Sequence, residues 1–149
     1  MKKIVIASII ALSALAASAV EVGINTTRDF SGNGRNSVGL TVGQQYGKFG
    51  VTAGFERFNS DATEQDRYSV VGSYDVAKFG PVTVAGKVGG AYLHNQVGEN
   101  GYALTVGVGA SVPVTKDVAF TADYTRQVGQ QRVGQYDGNR ITAGLKYAF

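Results

Sequence analysis

Cysteine and tryptophan are absent from this 149-residue chain, and histidine occurs only once. Without cysteine the chain has no disulfide bonds. A single histidine and no cysteine are too few to form the Cys and His ligand sets that most often bind zinc. Proline is rare, with 2 residues, whereas the chain contains 21 Gly, 8 Tyr and 7 Phe. This composition favours sheets over helices. We therefore expect an all-β protein with no metal site and no cofactor.

The first segment has the features of an export signal. Two lysines precede an apolar run over residues 4–17, which closes on Ala17-Ser18-Ala19. A basic start, a short apolar run and a small-x-small site are typical of a cleaved secretory signal peptide. We expect a signal-peptide helix over residues 1–19 and, after cleavage, a single domain over residues 20–149.

The net charge does not indicate a nucleic-acid partner. The chain has 14 Lys and Arg against 11 Asp and Glu, but Lys2 and Lys3 belong to the predicted leader. Residues 20–149 therefore carry 12 basic and 11 acidic side chains, a net charge of +1, with no basic patch. We expect no binding to nucleic acid.

Beyond the leader the hydrophobic pattern has a period of two, and no segment sustains a helical period. Each alternating segment is close to the 9–11 residues that a tilted strand needs to cross a bilayer. We predict eight strands: Val20 to Arg28, Asn36 to Tyr46, Phe49 to Phe58, Arg67 to Ala77, Val82 to Leu93, Tyr102 to Val112, Val118 to Gln127, and Asn139 to Phe149.

The connections between these strands alternate in length. The short ones are Gly47-Lys48, Lys78 to Pro81 and Pro113 to Asp117, and the longer polar ones are residues 29–35, 59–66, 94–101 and 128–138. Short turns at one end and long loops at the other predict an antiparallel up-and-down meander. Both termini then lie at the short-turn end, which we expect to be periplasmic.

The two faces of the strands differ in polarity. Val38, Leu40 and Val42, for example, alternate with glycine and threonine, and the apolar face is nearly free of charge throughout. A soluble sandwich with a dry centre is one interpretation. The abundance of glycine and small hydroxyls on the polar face favours another, the narrow interior of an eight-stranded transmembrane barrel, with the apolar face toward lipid.

Charged residues on the polar face are the candidates for the barrel interior. They are Glu21, Glu56, Asp75, Lys87, Asp123, Arg140 and Lys146. These side chains either form a salt-bridged plug, which small barrels usually contain, or line a narrow porin-like channel for ions or small solutes. Because the first and last strands meet on closure, we expect Glu21 to pair with Lys146.

Aromatic residues on the apolar face fall near the two ends of the strands. Two girdles that flank an apolar band are typical of outer-membrane barrels. The predicted short-turn girdle contains Tyr46, Phe49, Tyr74, Tyr147 and Phe149. The predicted long-loop girdle contains Phe55, Tyr68, Tyr92, Tyr102 and Tyr124.

The leader, the eight alternating segments and the closing ITAGLKYAF together resemble the small Gram-negative outer-membrane β-barrel superfamily, with its opacity-type, OmpA-type and porin-like members. In that superfamily the last strand is read by the outer-membrane assembly machinery. The resemblance implies the same role here for Ile141, Ala143, Leu145, Tyr147 and Phe149. It also implies a monomer surrounded by outer-membrane lipid and lipopolysaccharide.

The resemblance leaves three functions open. The first is a non-enzymatic barrel for envelope structure or surface adhesion, in which Arg132 and Tyr136 are candidate contacts for an unidentified ligand. The second is the narrow porin-like channel described above. The third is a lipid-modifying enzyme in which the single histidine, His94, is the base. No serine lies next to His94 in the sequence, so we expect no enzymatic activity.

Overall fold

The computed structural model describes residues 19–30, 34–59, 65–95, 100–129 and 137–149. Most of the predicted signal peptide, residues 1–18, lies outside this part of the chain. The described residues contain no helix long and apolar enough to cross a membrane. The eight strands are β1 (Val20–Asp29), β2 (Arg35–Tyr46), β3 (Phe49–Asn59), β4 (Gln65–Phe79), β5 (Val82–Asn95), β6 (Asn100–Pro113), β7 (Val118–Gly129) and β8 (Gly138–Ala148).

The strands form a closed antiparallel barrel in which each strand pairs with its neighbours in sequence. Closure comes from β1 and β8, which run antiparallel over their length with, for example, Val22 opposite Tyr147. The backbone N–H of Phe149 also donates to the Val20 carbonyl at 3.0 Å, so the two ends of the described barrel meet at one rim. The predicted eight-stranded up-and-down barrel is thus confirmed.

Of the three short turns, Gly47-Lys48 is as predicted, and the other two are tighter than the sequence predicts. Gly47 and Gly80 have φ angles of 59° and 58°, a left-handed conformation that glycine adopts at no steric cost. A bulge after Asp75 shifts the register of β4 and lets it continue to Phe79, so the predicted link from Lys78 to Pro81 shrinks to Gly80-Pro81. The predicted link from Pro113 likewise begins one residue later, because Pro113 is still paired in β6.

The strands also extend further at the long-loop end than predicted. Asp29 and Arg35 face each other in the β1–β2 ladder, and Gln65 and Asn95 do so in the β4–β5 ladder. The connections at this end are therefore residues 30–34, 60–64, 96–99 and 130–137, each shorter than the predicted loop. Side chains assigned to loops by sequence become part of the barrel wall.

The barrel has the reverse polarity of a soluble protein. On its outer face Val38 and Leu40 are 70% and 58% exposed, whereas Arg67 and Arg140 inside are 4% and 2% exposed. A continuous apolar surface of this kind is unfavourable in water and is matched by hydrocarbon. Closure satisfies every strand edge, which a bilayer requires because lipid offers no hydrogen bonds. The alternative interpretation, a soluble sandwich, is therefore wrong.

Candidate functional site

The barrel interior is the candidate functional site, and glycines create the space for its charged side chains. A Cβ atom on Gly39 of β2 would lie 2.8 Å from Cγ of Glu56, and one on Gly109 of β6 would lie 2.7 Å from Cε of Lys87. Both separations are shorter than a normal contact between carbon atoms. Glycine at these inward positions thus lets long ionisable side chains cross a narrow lumen.

Glu56 of β3 is the centre of a group of ion pairs in the long-loop half of the barrel. Its Oε2 accepts hydrogen bonds from Nη1 of Arg67 at 3.1 Å and from Nη2 of Arg140 at 2.5 Å. Its Oε1 accepts a third from the Thr27 hydroxyl at 3.0 Å. All four side chains are buried, so the carboxylate is held by two cations in the absence of bulk water.

Two further charged residues extend this group toward the loops. Asp29 lies 3.8 Å from a guanidinium nitrogen of Arg35 and 3.8 Å from one of Arg140. Arg35 also donates to Oε1 of Gln65 at 2.6 Å. We call Asp29, Arg35, Glu56, Arg67 and Arg140 the buried charge cluster.

Uncharged side chains complete the hydrogen bonds of Arg67. Its Nε donates to Gln127 at 3.1 Å and its Nη2 donates to the Thr105 hydroxyl at 3.0 Å. With its bond to Glu56, the guanidinium therefore contacts side chains of β3, β6 and β7 from its own position on β4. This network spans the lumen and ties opposite walls of the barrel together.

An apolar layer lies next to the cluster inside the barrel. The ring of Phe58 is fully buried, with the guanidinium carbons of Arg35 and Arg140 at 5.0 Å and 5.5 Å from its centroid. Leu93 is equally buried and packs with Ala91 and Ala103. An aromatic ring thus packs against two cations of the cluster in the long-loop half of the lumen.

The short-turn half of the lumen is more open. Lys87 and Asp123 form an ion pair of 2.7 Å, and Lys146 and Glu21 form one of 3.0 Å nearer the rim. These four side chains are 19–30% exposed, compared with 1–6% for Asp29, Glu56, Arg67 and Arg140. They line a cavity of about 180 Å³ together with Asp75 and many Ser and Thr hydroxyls. That volume accommodates a few water molecules.

All seven predicted interior residues line this cavity or belong to the buried charge cluster. Six form ion pairs, and Asp75 forms none with a described residue. Sequence reasoning missed Asp29, Arg35 and Arg67, because it ended the strands too early or left the first strand residue unassigned. The alternation itself contained the signal: Asp29 follows the inward Thr27 by two residues, and Arg67 precedes the inward Ser69 by two.

Formal charges cancel over the interior. The buried charge cluster contains two acids and three bases, a sum of +1. The cavity is lined in its short-turn half by Glu21, Asp75 and Asp123 against Lys87 and Lys146, a sum of −1. The interior therefore has no large excess of either sign to concentrate one class of ion.

The predicted girdle residues lie on the outer face of the barrel. Tyr74 sits opposite Phe49 near the short turns, while Tyr68 and Tyr102 sit opposite Phe55 and Tyr92 toward the loops. The Phe55–Tyr68 and Tyr92–Tyr102 ring centroids are each 5.2 Å apart, and the Tyr147–Phe149 centroids are 4.8 Å apart. Tyr46 and Tyr124 are also exposed on this face.

The last strand presents its alternating residues outward. Ile141, Leu145, Tyr147 and Phe149 are exposed, and Ala143 is half-buried on the same face. The predicted assembly residues therefore form one continuous apolar stripe that ends at the rim.

Of the remaining candidate residues, the structure describes His94 alone. His94 is exposed on β5, where Nδ1 lies 2.7 Å from Oδ1 of Asn100, its one hydrogen-bond partner among the described residues. A nucleophilic hydroxyl in contact with a base is thus not found at His94 in this part of the chain. Arg132 and Tyr136 lie outside the described residues.

A closed barrel with lipid-matched aromatics outside and ion pairs inside is an outer-membrane-type transmembrane β-barrel. The family comparison gives a finer assignment: the family model described as YfaZ precursor matches residues 1–147. The chain belongs to this family. A search of curated proteins finds no match.

Solved structures share the fold at low sequence identity. Neisserial surface protein A is 16% identical, with a TM-score of 0.62 over 90% of this chain and 98% of that one. Ail of Yersinia pestis is 12% identical, with a TM-score of 0.60 over 89% and 100% of the two chains. A major outer membrane protein of Thermus thermophilus is 15% identical, with a TM-score of 0.62 over 88% and 100%.

Proposed function

We propose that this protein is a non-conducting, non-enzymatic barrel of the Gram-negative outer membrane that stabilises the envelope and displays four surface loops. Residues 1–19 direct its export, and both termini face the periplasm. The buried charge cluster is the observation that carries this proposal, because it spans the lumen in the half nearest the loops. A lumen closed in this way transports nothing while the cluster is intact.

The energetics of the cluster favour a permanently closed state. To open a path, at least the contacts of Glu56 with Arg67 and Arg140 must separate, since these bonds cross the lumen. Separating a buried ion pair so that a charge is left without a partner costs about 3–5 kcal/mol. An open state with one such break is populated at about 1% or less.

Surface contact is the part of the function that depends on the loops. Neisserial surface protein A and the attachment invasion locus protein Ail are described by name as surface and attachment proteins. Their barrels align with this chain over most of its length, which supports a similar use of a rigid barrel as a loop platform. We assign Arg132 and Tyr136 in the last loop as contact residues for an external ligand.

Insertion and surroundings follow from the outer face. The apolar stripe of β8, which ends at Phe149, is the segment that the outer-membrane assembly machinery would recognise. The outer face is matched to lipid, including lipopolysaccharide in the outer leaflet, and every strand is already paired within one chain. The described strands leave no edge to recruit a second copy, which supports a monomer.

Planar-bilayer recordings test the closed lumen. Purified barrel that is fully folded by heat-modifiable electrophoresis should give no reproducible stepwise current. The more open cavity at Lys87 and Asp123 is the observation that favours the alternative, a narrow channel. Stepwise conductance that changes in Lys87→Ala or Asp123→Ala would establish that alternative and reject the closed barrel.

A lipid analysis tests the absence of enzymatic activity. We expect the same lipid A mass spectrum from cells that overproduce the wild-type protein, cells that overproduce His94→Ala, and cells without the protein. A modified lipid A species present with the wild type and absent with His94→Ala would show that His94 serves as a catalytic base.

A further inference from the structure

Two arginines on the lipid-facing side of the barrel form no ion pair with a carboxylate of the described residues. Arg28 of β1 and Arg126 of β7 both point outward and are exposed. Neither forms an ion pair with a described residue, and the neighbouring segments 31–33 and 130–136 contain no Asp or Glu. We call Arg28 and Arg126 the outer-face arginine pair.

A third outward arginine behaves differently and provides an internal comparison. Arg57 of β3 donates from Nε to Oδ1 of Asp66 at 2.9 Å and from Nη2 to Oδ2 at 3.2 Å. Its charge is therefore neutralised within the chain by a fork-like pair. The outer-face arginine pair forms no such fork with a described residue, and the nearby carboxylate of Asp137 instead accepts from the backbone N–H of Gly129. The two guanidinium groups are therefore available to an anion outside the barrel.

The pair lies on both sides of β8, one residue row apart. Arg28 of β1 and Tyr124 of β7 both lie opposite Ile141 of β8, on its two sides. Arg126 lies opposite Asn139, which is the next outward residue of β8 toward the loops. With strands about 4.8 Å apart, the two arginine Cα atoms are separated by roughly 12 Å. Two extended arginine side chains can bridge this distance with one phosphate between them.

The surface beside the pair is apolar. Tyr124 and Ile141 are each about half exposed, so acyl chains would pack beside Arg28 and on the short-turn side of Arg126. Arg28 is also oriented by a hydrogen bond from Nη1 to Oδ1 of Asn36 at 3.0 Å, which leaves its other donors available. Apolar surface with adjacent unpaired cations at the level of the girdle complements an anionic lipid.

We propose that the outer-face arginine pair and the Tyr124–Ile141 surface form a binding site for a phosphorylated lipid of the outer leaflet. A phosphate monoester accepts hydrogen bonds from both guanidinium groups, and the acyl chains cover the side chains below. This inference rests on the proposed outer-membrane location, but it is independent of whether the lumen conducts.

Native mass spectrometry of the folded barrel in detergent measures the binding. The probes are bisphosphorylated hexa-acyl lipid A, the same lipid A with both phosphates removed, and zwitterionic phosphatidylethanolamine. We expect wild type to retain the bisphosphorylated lipid at least tenfold more tightly than either of the others. Equal retention of the dephosphorylated lipid would overturn the proposal with the wild-type protein alone.

Variants locate the site. Arg28→Gln combined with Arg126→Gln should weaken binding of bisphosphorylated lipid A by about tenfold or more, as expected when two charge-assisted contacts are lost. Arg57→Gln removes one outward arginine that is already paired and should change binding by less than about twofold. Undiminished binding in the double variant, or an equal loss in Arg57→Gln, would refute the assignment.

The same samples separate this inference from the proposed function. Heat-modifiable electrophoresis shows whether each variant is folded, and planar-bilayer recordings report the state of the lumen. A silent barrel that does not discriminate between the lipids contradicts the lipid site alone. A conducting barrel that retains phosphorylated lipid contradicts the closed lumen alone.

Discussion

Replacement of Glu56 by glutamine tests whether the buried charge cluster stabilises the barrel. Glutamine keeps the shape of the side chain but removes the negative charge that Arg67 and Arg140 share. Of the two acids in the cluster only Asp29 then remains, and its Oδ2 lies 3.8 Å from a guanidinium nitrogen of Arg35 and 3.8 Å from one of Arg140. The formal charge of the cluster rises from +1 to +2 in a region that is almost inaccessible to water.

The expected loss follows from the burial of these groups. Breaking a buried ion pair by removal of one partner costs about 3–5 kcal/mol, mostly because the other charge stays buried without compensation. With a urea m value of about 2 kcal/mol/M, a loss of 4 kcal/mol lowers the unfolding midpoint by about 2 M. Because the chain has no tryptophan, unfolding in lipid vesicles is best followed by circular dichroism and electrophoretic mobility.

Two controls make the result specific. Asp75→Asn removes an acid of the same lumen that forms no ion pair with a described residue, and we expect a change within about 0.5 kcal/mol. In Glu56→Gln combined with Arg140→Gln, removal of one cation should recover part of the loss, with a coupling energy of at least about 1 kcal/mol. A loss below about 1 kcal/mol in Glu56→Gln, comparable to a solvated surface pair, would refute the reasoning.

Two other predictions concern packing and assembly. Gly39→Ala places a Cβ atom against Glu56 and the Phe55 carbonyl and should lower the free energy of unfolding by about 1–3 kcal/mol. Gly86→Ala should be nearly neutral, because a Cβ atom there has no neighbouring atom within 4 Å. Equal urea midpoints for the two variants would contradict the steric argument. Deletion of Phe149 should reduce the share of the protein in the outer-membrane fraction at unchanged synthesis. Phe79→Ala, which removes another strongly exposed aromatic of the short-turn end, should not reduce it. Normal fractionation of the deletion variant would refute the assembly role of the last residue.

Local pattern was sufficient for the strands and for their orientation relative to lipid. A period of two assigns each side chain to one of two faces, and the contrast between Val38 or Leu40 and the small residues between them identifies the lipid side. The same alternation, extended by two residues beyond Thr27, predicts that Asp29 points inward. Strand ends were less accurate, because Asp29 and Arg35 are polar residues that resemble a loop until the barrel pairs them across β1 and β2.

The amino-acid sequence by itself determined a closed, inside-out barrel, since alternation, strand length and the need to pair every edge are local or compositional properties. Only the tertiary structure decided which charges meet. Glu56 and Arg140 are 84 residues apart on β3 and β8, which are not neighbours in the sheet, and they touch because the lumen is narrow at that level. The width and stagger of the barrel set these contacts across the lumen, and no pattern along a single strand specifies them.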